Sequence, residues 1–359
     1  MIAKSSSLLR KLLILYLVFA GLHYARSFLM PLTISTVLAT LFLPFCKWLE
    51  SHKVPRGLAA FICLLILVLF GGGVGWLLGW EISQLTGDIT ELKRKILEVS
   101  HGFQTMVMQY TGLSAERQSE MIKNQESSLS DFIPIMAGSL LYTITNTILS
   151  LVYIFFLLYY RDHIRRFLMK LAPMSQQTEM TQIIQGAARV SQQYLVGLAK
   201  MIACLWVMYS IGFGILGVHH FLFFAILCGL LEIVPFIGNI TGTTLTILIS
   251  SVEGASLPML AGIACVYGTV QFFQGWVLEP LIVGPQVKIN PLFTIIAVVV
   301  GELVWGIPGI FLAIPITAMF KIISDHIEHL KPYGFLIGDI EATNKQNWLT
   351  EKIENWRQK

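Results

Sequence analysis

The chain has 359 residues, of which 55% are hydrophobic and only 13% charged, and its mean hydropathy is +0.70. Soluble domains carry about 25% charged residues, so the composition excludes a soluble core and points to a bundle of membrane helices. A net charge of +4 is too small to argue for a nucleic-acid partner.

The first membrane helix is expected over residues 8–24, after a short basic start with Lys4, Arg10 and Lys11. It reads as a span rather than a cleaved signal, because no small-x-small site follows and further apolar spans come at once. Residues 28–49 form the second span and 57–80 the third, with Trp76 and Trp80 placed as an interfacial belt. Residues 81–138 change character. Ile82, Leu85, Ile89, Leu92, Ile96, Val99, Phe103, Met106 and Tyr110 recur at alternating gaps of three and four, a heptad seam on an amphipathic extramembrane helix. This 82–110 seam fits a contact with another copy of the chain, and equally a helix lying on its own bundle or on the bilayer.

The fourth span, 139–160, ends in the basic run RDHIRRFLMKLAP (161–173), which reads as a cytoplasmic anchor. Residues 181–198 carry Ile184, Ala187, Val190, Tyr194 and Leu198 on one side and feed into a fifth span, 200–217. The last third is almost continuously apolar, with segments 221–250, 257–282 and 291–323. At 33 residues, the last exceeds the roughly 20 needed for one crossing, so it is either strongly kinked or two half-helices. The polar tail follows. Eighteen of the 25 basic residues fall on one side of such an eight-segment layout, which puts both termini in the cytoplasm.

The stretch Leu231–Gly242, LEIVPFIGNITG, is the anomaly within this apolar region. Pro235 removes a backbone donor, Gly238 weakens a helix, and Glu232 and Asn239 are polar groups that hydrocarbon penalises. Backbone groups freed there need partners in protein or in a water-filled cavity. An intramembrane carboxylate is a functional candidate by default, and Glu232 would lie at the negative end of a half-helix, where it could hold a proton or a monovalent cation. The alternative is a neutral Glu232 packed between helices. Tyr267, Gln271 and Gln274 share one helix face, as a polar lane for a small hydrophilic solute or as interhelical hydrogen bonding. Glu279 is displaced around the same helix, and Glu302 precedes Gly306 and Pro308 by a turn.

No P-loop, HExxH or GxSxG motif occurs, so no enzyme is indicated, and any transport runs on ion gradients or is passive. The five cysteines, Cys46, Cys63, Cys204, Cys228 and Cys265, show no CxxC or Cys/His spacing. They read as buried thiols, with neither a metal nor a cofactor expected. His219–His220 reads as interfacial.

The run Glu232-x-x-Pro-Phe-Ile-Gly238, then Glu279-Pro-Leu-Ile-Val-Gly284, Pro291-Leu292 and Gly306-Ile-Pro-Gly-Ile-Phe-Leu-Ala-Ile-Pro315, resembles the autoinducer-2 exporter family of permeases. The 161–173 run, Tyr194-Leu-Val-Gly197 and the long helix after the third span extend the resemblance over nearly the whole chain. It implies about eight membrane segments, some re-entrant, export of small molecules or sodium/proton exchange, and oligomers, pentamers among them. Two departures stand out. Asn239 stands where many relatives have proline, and Gln274-Gly275 where many have a Glu-Asn pair, which shifts weight to Glu232.

The expectation is therefore an all-α integral membrane protein. Three helices (1–80) precede an extramembrane section (81–138), then a fourth span with an interfacial helix (139–200), a C-terminal core with broken helices (201–325) and a cytoplasmic tail (326–359). The expected function is a permease exporting a small polar solute, autoinducer-2-like, coupled to a proton or sodium gradient. The rivals are a monovalent cation/proton antiporter and a non-transporting oligomeric scaffold. The candidate pathway residues are Glu232, Pro235, Gly238, Asn239, Gln271, Gln274, Glu279 and Glu302. The partners are that solute or cation, the lipid bilayer of a bacterial plasma membrane, and further copies of the chain.

Overall fold

The structure is a computed structural model that describes residues 2–85, 129–234, 237–283 and 289–339. Most of the 82–110 seam, Pro235 and most of the C-terminal tail lie outside these residues. Every element among them is helical, apart from one isolated antiparallel bridge between Ile289 and Gly338.

The helices are α1 (Ile2–Tyr24), α2 (Arg26–Ser51), α3 (Arg56–Leu85), α4 (Leu129–Tyr159), α5 (Arg161–Leu171), α6 (Gln177–Ile215), α7 (Phe221–Leu231), α8 (Ile237–Val252), α9 (Leu257–Phe273), α10 (Pro291–Trp305), α11 (Ile307–His326) and α12 (Lys331–Ile337). From Gln274 to Val283, α9 widens into a π-helix. Among the described residues five helices are long and apolar enough to cross a membrane, or six if α4 and α5, bent by 70° at their junction, count as one broken span. The surface supports that reading, because large apolar side chains face outward throughout. Trp76 is 73% exposed and Leu303 72%, a surface suited to lipid rather than water. This is a multi-pass helical membrane protein.

The chain divides into two compact units, one of residues 1–66, 148–201 and 278–359 and the other of residues 67–147 and 202–277. In the first unit, α10 and α11 fold back on each other at Gly306, whose φ of 66° lies in the left-handed region. The 291–323 segment is thus two helices rather than one kinked crossing. The fold-back is close because residues 301 and 309 are both glycine. A Cβ on either would meet the carbonyl group of the other. Asn290 sets the start of α10. Its side chain accepts from the Phe293 N–H at 2.9 Å and donates to the Leu336 carbonyl at 2.8 Å, while Pro291 occupies the first turn where no donor is needed.

Also in the first unit, Glu50 of α2 pairs with Arg161 of α5, and Arg56 of α3 pairs with Asp162 of α5 at 2.5 Å. These contacts anchor the start of α5 to the ends of α2 and α3. Residues 181–198 and 200–217 are not separate elements. They are joined in one helix, α6, which ends at Ile215 and at 39 residues is about 58 Å long. Its N-terminal half packs inward rather than lying free, since Tyr194 and Leu195 are buried and Gly186 sits against Ile322.

In the second unit, α7 and α8 form another hairpin. A Cβ on Gly242 would lie 3.1 Å from the Cα of Cys228, and one on Gly238 would overlap the Leu231 carbonyl. Eleven residues in α7 reach only about 16 Å, too short to cross the roughly 30 Å hydrocarbon core. Gly309→Val should lower the unfolding midpoint in detergent by the equivalent of about 3 kcal/mol or more. Gly71→Ala, on a face with open space around it, should leave that midpoint level or raise it slightly.

Candidate functional site

The α7–α8 hairpin brings polar side chains into the interior of the second unit. Glu232 caps the C-terminal end of α7 and is buried, as are Asn239 at the start of α8 and Gln274 where α9 turns into the π-helix. The three form a relay. Asn239 Nδ2 donates to Gln274 Oε1 at 3.1 Å, and Gln274 Nε2 donates to Glu232 Oε1 at 2.5 Å. Its direction follows from elementary chemistry. An ionised carboxylate only accepts, so Gln274 must turn its NH₂ to Glu232 and its carbonyl to Asn239. Asn239 then spends its NH₂ on Gln274, and its Oδ1 is left buried without a hydrogen-bond partner among the described residues. A π-helical turn widens the backbone and recurs at functional sites. Here it begins at the relay's central residue.

The relay continues as a polar stripe. Asn239, Thr243, Thr246 and Ser250 recur at steps of four, three and four, and all are buried. Thr246 returns its hydroxyl to the Gly242 carbonyl at 2.8 Å, a bond that leaves the helix intact while hiding the group. Thr243 instead faces the Tyr209 hydroxyl of α6, and among the described residues neither hydroxyl has a hydrogen bond of ordinary geometry. Cys228 of α7 faces Thr243 and Thr246 from the other side. Buried polar atoms are nearly always bonded, so Asn239 Oδ1, Thr243 Oγ1 and the Tyr209 hydroxyl form a concentrated exception.

Of the eight residues singled out by sequence, the structure joins Glu232, Asn239 and Gln274, and Gly238 permits the close turn between them. Gln271 is half-buried and donates to Tyr267 at 3.5 Å, outside the relay. Glu279 and Glu302 are exposed and belong to the other unit; the backbone carbonyl of Glu302 accepts from Gly306 at 2.7 Å. Pro235 lies outside the described residues. Sequence reasoning placed the polar lane on α9 and missed the stripe on α8, although its signal was present as Asn-x-x-x-Thr-x-x-Thr-x-x-x-Ser, one helical face of small polar residues. Tyr209 gave no signal of its own. No group of three or more His, Cys, Asp or Glu side chains gathers within metal-binding reach among the described residues.

With this geometry in place, comparison with known proteins is informative. A family model described as AI-2E family transporter matches residues 12–329. The chain is 26% identical over 318 residues to "Putative transport protein YrrI" of Bacillus subtilis (strain 168), covering 85% of this chain and 88% of that one. A similarly named protein of Borreliella burgdorferi is 24% identical over 346 residues, 95% and 93% of the two chains. YhhT of Escherichia coli (strain K12), also so named, is 21% identical over 318 residues, 88% and 89%.

The bond from Gln274 to Glu232 can be weighed directly. Hydrogen bonds to charged groups contribute about 1.5–3 kcal/mol. A double-mutant cycle of Glu232→Gln and Gln274→Leu, read by unfolding midpoints in detergent, should give a coupling energy in that range. A coupling near zero would mean that the two side chains do not interact in the folded protein.

Proposed function

We propose that this chain, which belongs to the AI-2E family of transporters, exports a small polar solute across the bacterial plasma membrane in exchange for protons or sodium, with Glu232 as the coupling group. The observation that carries this reading is the relay that ends on Asn239 Oδ1, buried and without a partner among the described residues. The relay has two self-consistent states. With Glu232 ionised, the amides point as described, and Asn239 Oδ1 stands on the same helix face as Thr243 and is open to a donor or cation. With Glu232 protonated, its hydroxyl can donate to the Gln274 carbonyl, and both amides turn over. Gln274 then directs its NH₂ at Asn239 Oδ1 and closes that position. Protonation and occupancy thus exclude each other, the property an exchanger needs. The α8 stripe of hydroxyls supplies the hydrogen-bonding surface for a polar solute.

In this proposal each hairpin counts as one membrane segment, which gives eight with α1, α2, α3, α4, α6 and the α9–π segment, and both termini lie in the cytoplasm. The copies assemble through the 82–110 seam, as a pentamer by the family resemblance. A second reading, a monovalent cation/proton antiporter, is favoured by one feature. The buried face of α8 that carries Asn239 continues with the hydroxyls of Thr243, Thr246 and Ser250, and oxygen donors suit hard cations.

Proteoliposomes test both. Glu232→Gln holds the relay in its neutral state, so solute efflux driven by an imposed gradient should fall at least tenfold and lose its dependence on pH between about 6 and 9. Wild-type behaviour across that range would remove Glu232 from the coupling step. An imposed sodium gradient without organic solute separates the readings. The antiporter acidifies or alkalinises the lumen under those conditions, and the solute exporter does not.

A further inference from the structure

The structure assigns a second binding surface, remote in chemistry from the Glu232 relay. We propose that α5 is an in-plane interfacial helix that seats its outer face in the bilayer and binds anionic phospholipid headgroups. It leaves α4 at 70°, so it does not continue the span but turns across its end. Its start is held there by Glu50–Arg161 and Arg56–Asp162, and Met169 accepts from the Thr181 hydroxyl of α6 at 3.5 Å. In a helix that turns about 100° per residue, Asp162 and Met169 share the inner face. Nearly opposite them lie Ile164, Phe167 and Leu171, which are 37%, 58% and 62% exposed, and just beyond the helix Met174 is 90% exposed. None of α5's residues is buried.

An apolar stripe turned away from the protein needs a cover, and the charges beside it identify one. Arg161 and Asp162 are each engaged by a partner of opposite sign, and the Arg56 guanidinium beside Asp162 holds its carboxyl below the usual carboxylate range. That leaves Arg165, Arg166 and Lys170 exposed and without a carboxylate partner among the described residues. Around the axis, Lys170 lies about 90° to one side of the stripe and Arg165 about 130° to the other. Apolar side chains centred between long cations are the arrangement by which a helix lies in the headgroup region, with its stems buried and its charges at the phosphates. Juxtamembrane Lys and Arg are also what anionic lipid attracts. A protein partner would need acidic groups astride an apolar ridge, whereas the bilayer at the end of α4 supplies both features at the right height.

The test is cysteine accessibility in the full-length protein, with the wild type and its five native cysteines as the blank. Ile164→Cys, Phe167→Cys and Arg166→Cys are purified and placed in freeze–thawed vesicles of phosphatidylcholine and phosphatidylglycerol at 3:1. A membrane-impermeant maleimide is then supplied on both sides. Labelling at 164 and 167 should be at least tenfold slower than at 166. In phosphatidylcholine alone this protection should shrink at least threefold, and Arg165→Gln with Lys170→Gln should abolish the dependence on phosphatidylglycerol. Equal rates at all three positions would overturn the proposal and leave the stripe to a partner absent from the vesicles. Protection that ignores both lipid charge and the two cations would overturn it as well, since a second copy of the chain would then be the cover.

Discussion

Two places where backbone lies directly against backbone decide how this protein can be built. Within the first unit Gly301 and Gly309 touch, and within the second Gly238 rests on Leu231 and Gly242 on Cys228. In hydrocarbon, association between helices gains little from the hydrophobic effect and depends on close van der Waals packing. Small residues let the chain reverse inside such a medium without leaving backbone groups exposed to lipid. Any Cβ at residues 301, 309 or 238 would collide with a carbonyl, so each hairpin depends on glycine at these positions.

The second hairpin gives this constraint a chemical consequence. Folding α7 against α8 places the C-terminal cap of one helix, Glu232, next to the first turn of the other, which carries Asn239. The carboxylate therefore sits where carbonyls converge at one end and N–H groups at the other. A donor from outside the hairpin reaches it: Gln274 Nε2. The stripe Thr243, Thr246 and Ser250 then extends the polar interior along α8. A helix with these residues facing lipid would be penalised. Facing inward, they are shielded by protein instead.

Much of this was legible in the sequence, for identifiable reasons. Pro and Gly beside Glu232 in an apolar run forced a break, and the length of 291–323 forced a second, because neither pattern fits one lipid-spanning helix. That Glu232, Asn239 and Gln274 would meet was not legible, since a separation of 35 residues between Asn239 and Gln274 carries no periodic signal and depends on how α9 lies along the hairpin. The stripe on α8 was readable by spacing but hidden by the attention that glutamine and glutamate attract over threonine. The continuity of α6 was missed because amphipathic 181–198 and apolar 200–217 differ in composition. No breaker separates them, however, and a helix does not end where its environment changes. The exposure of Glu279 and Glu302 lay beyond sequence reasoning, because charge within an apolar segment marks a candidate without saying which way it faces.

The two departures from the pattern that the sequence resembles fall on a single contact. Residues 239 and 274 touch each other. Proline at 239 would offer no side-chain donor to residue 274, and glutamate at 274 would set a second carboxylate against Glu232. Two carboxylates at that distance cannot both ionise and must share a proton. Asparagine and glutamine replace that arrangement with a single acid whose charge is relayed through two neutral amides. Among the described residues this network therefore contains a single carboxylate, that of Glu232. In this chain Glu232 meets a neutral amide rather than a second acid, and the direction of the Asn239–Gln274–Glu232 bonds follows from which group can donate.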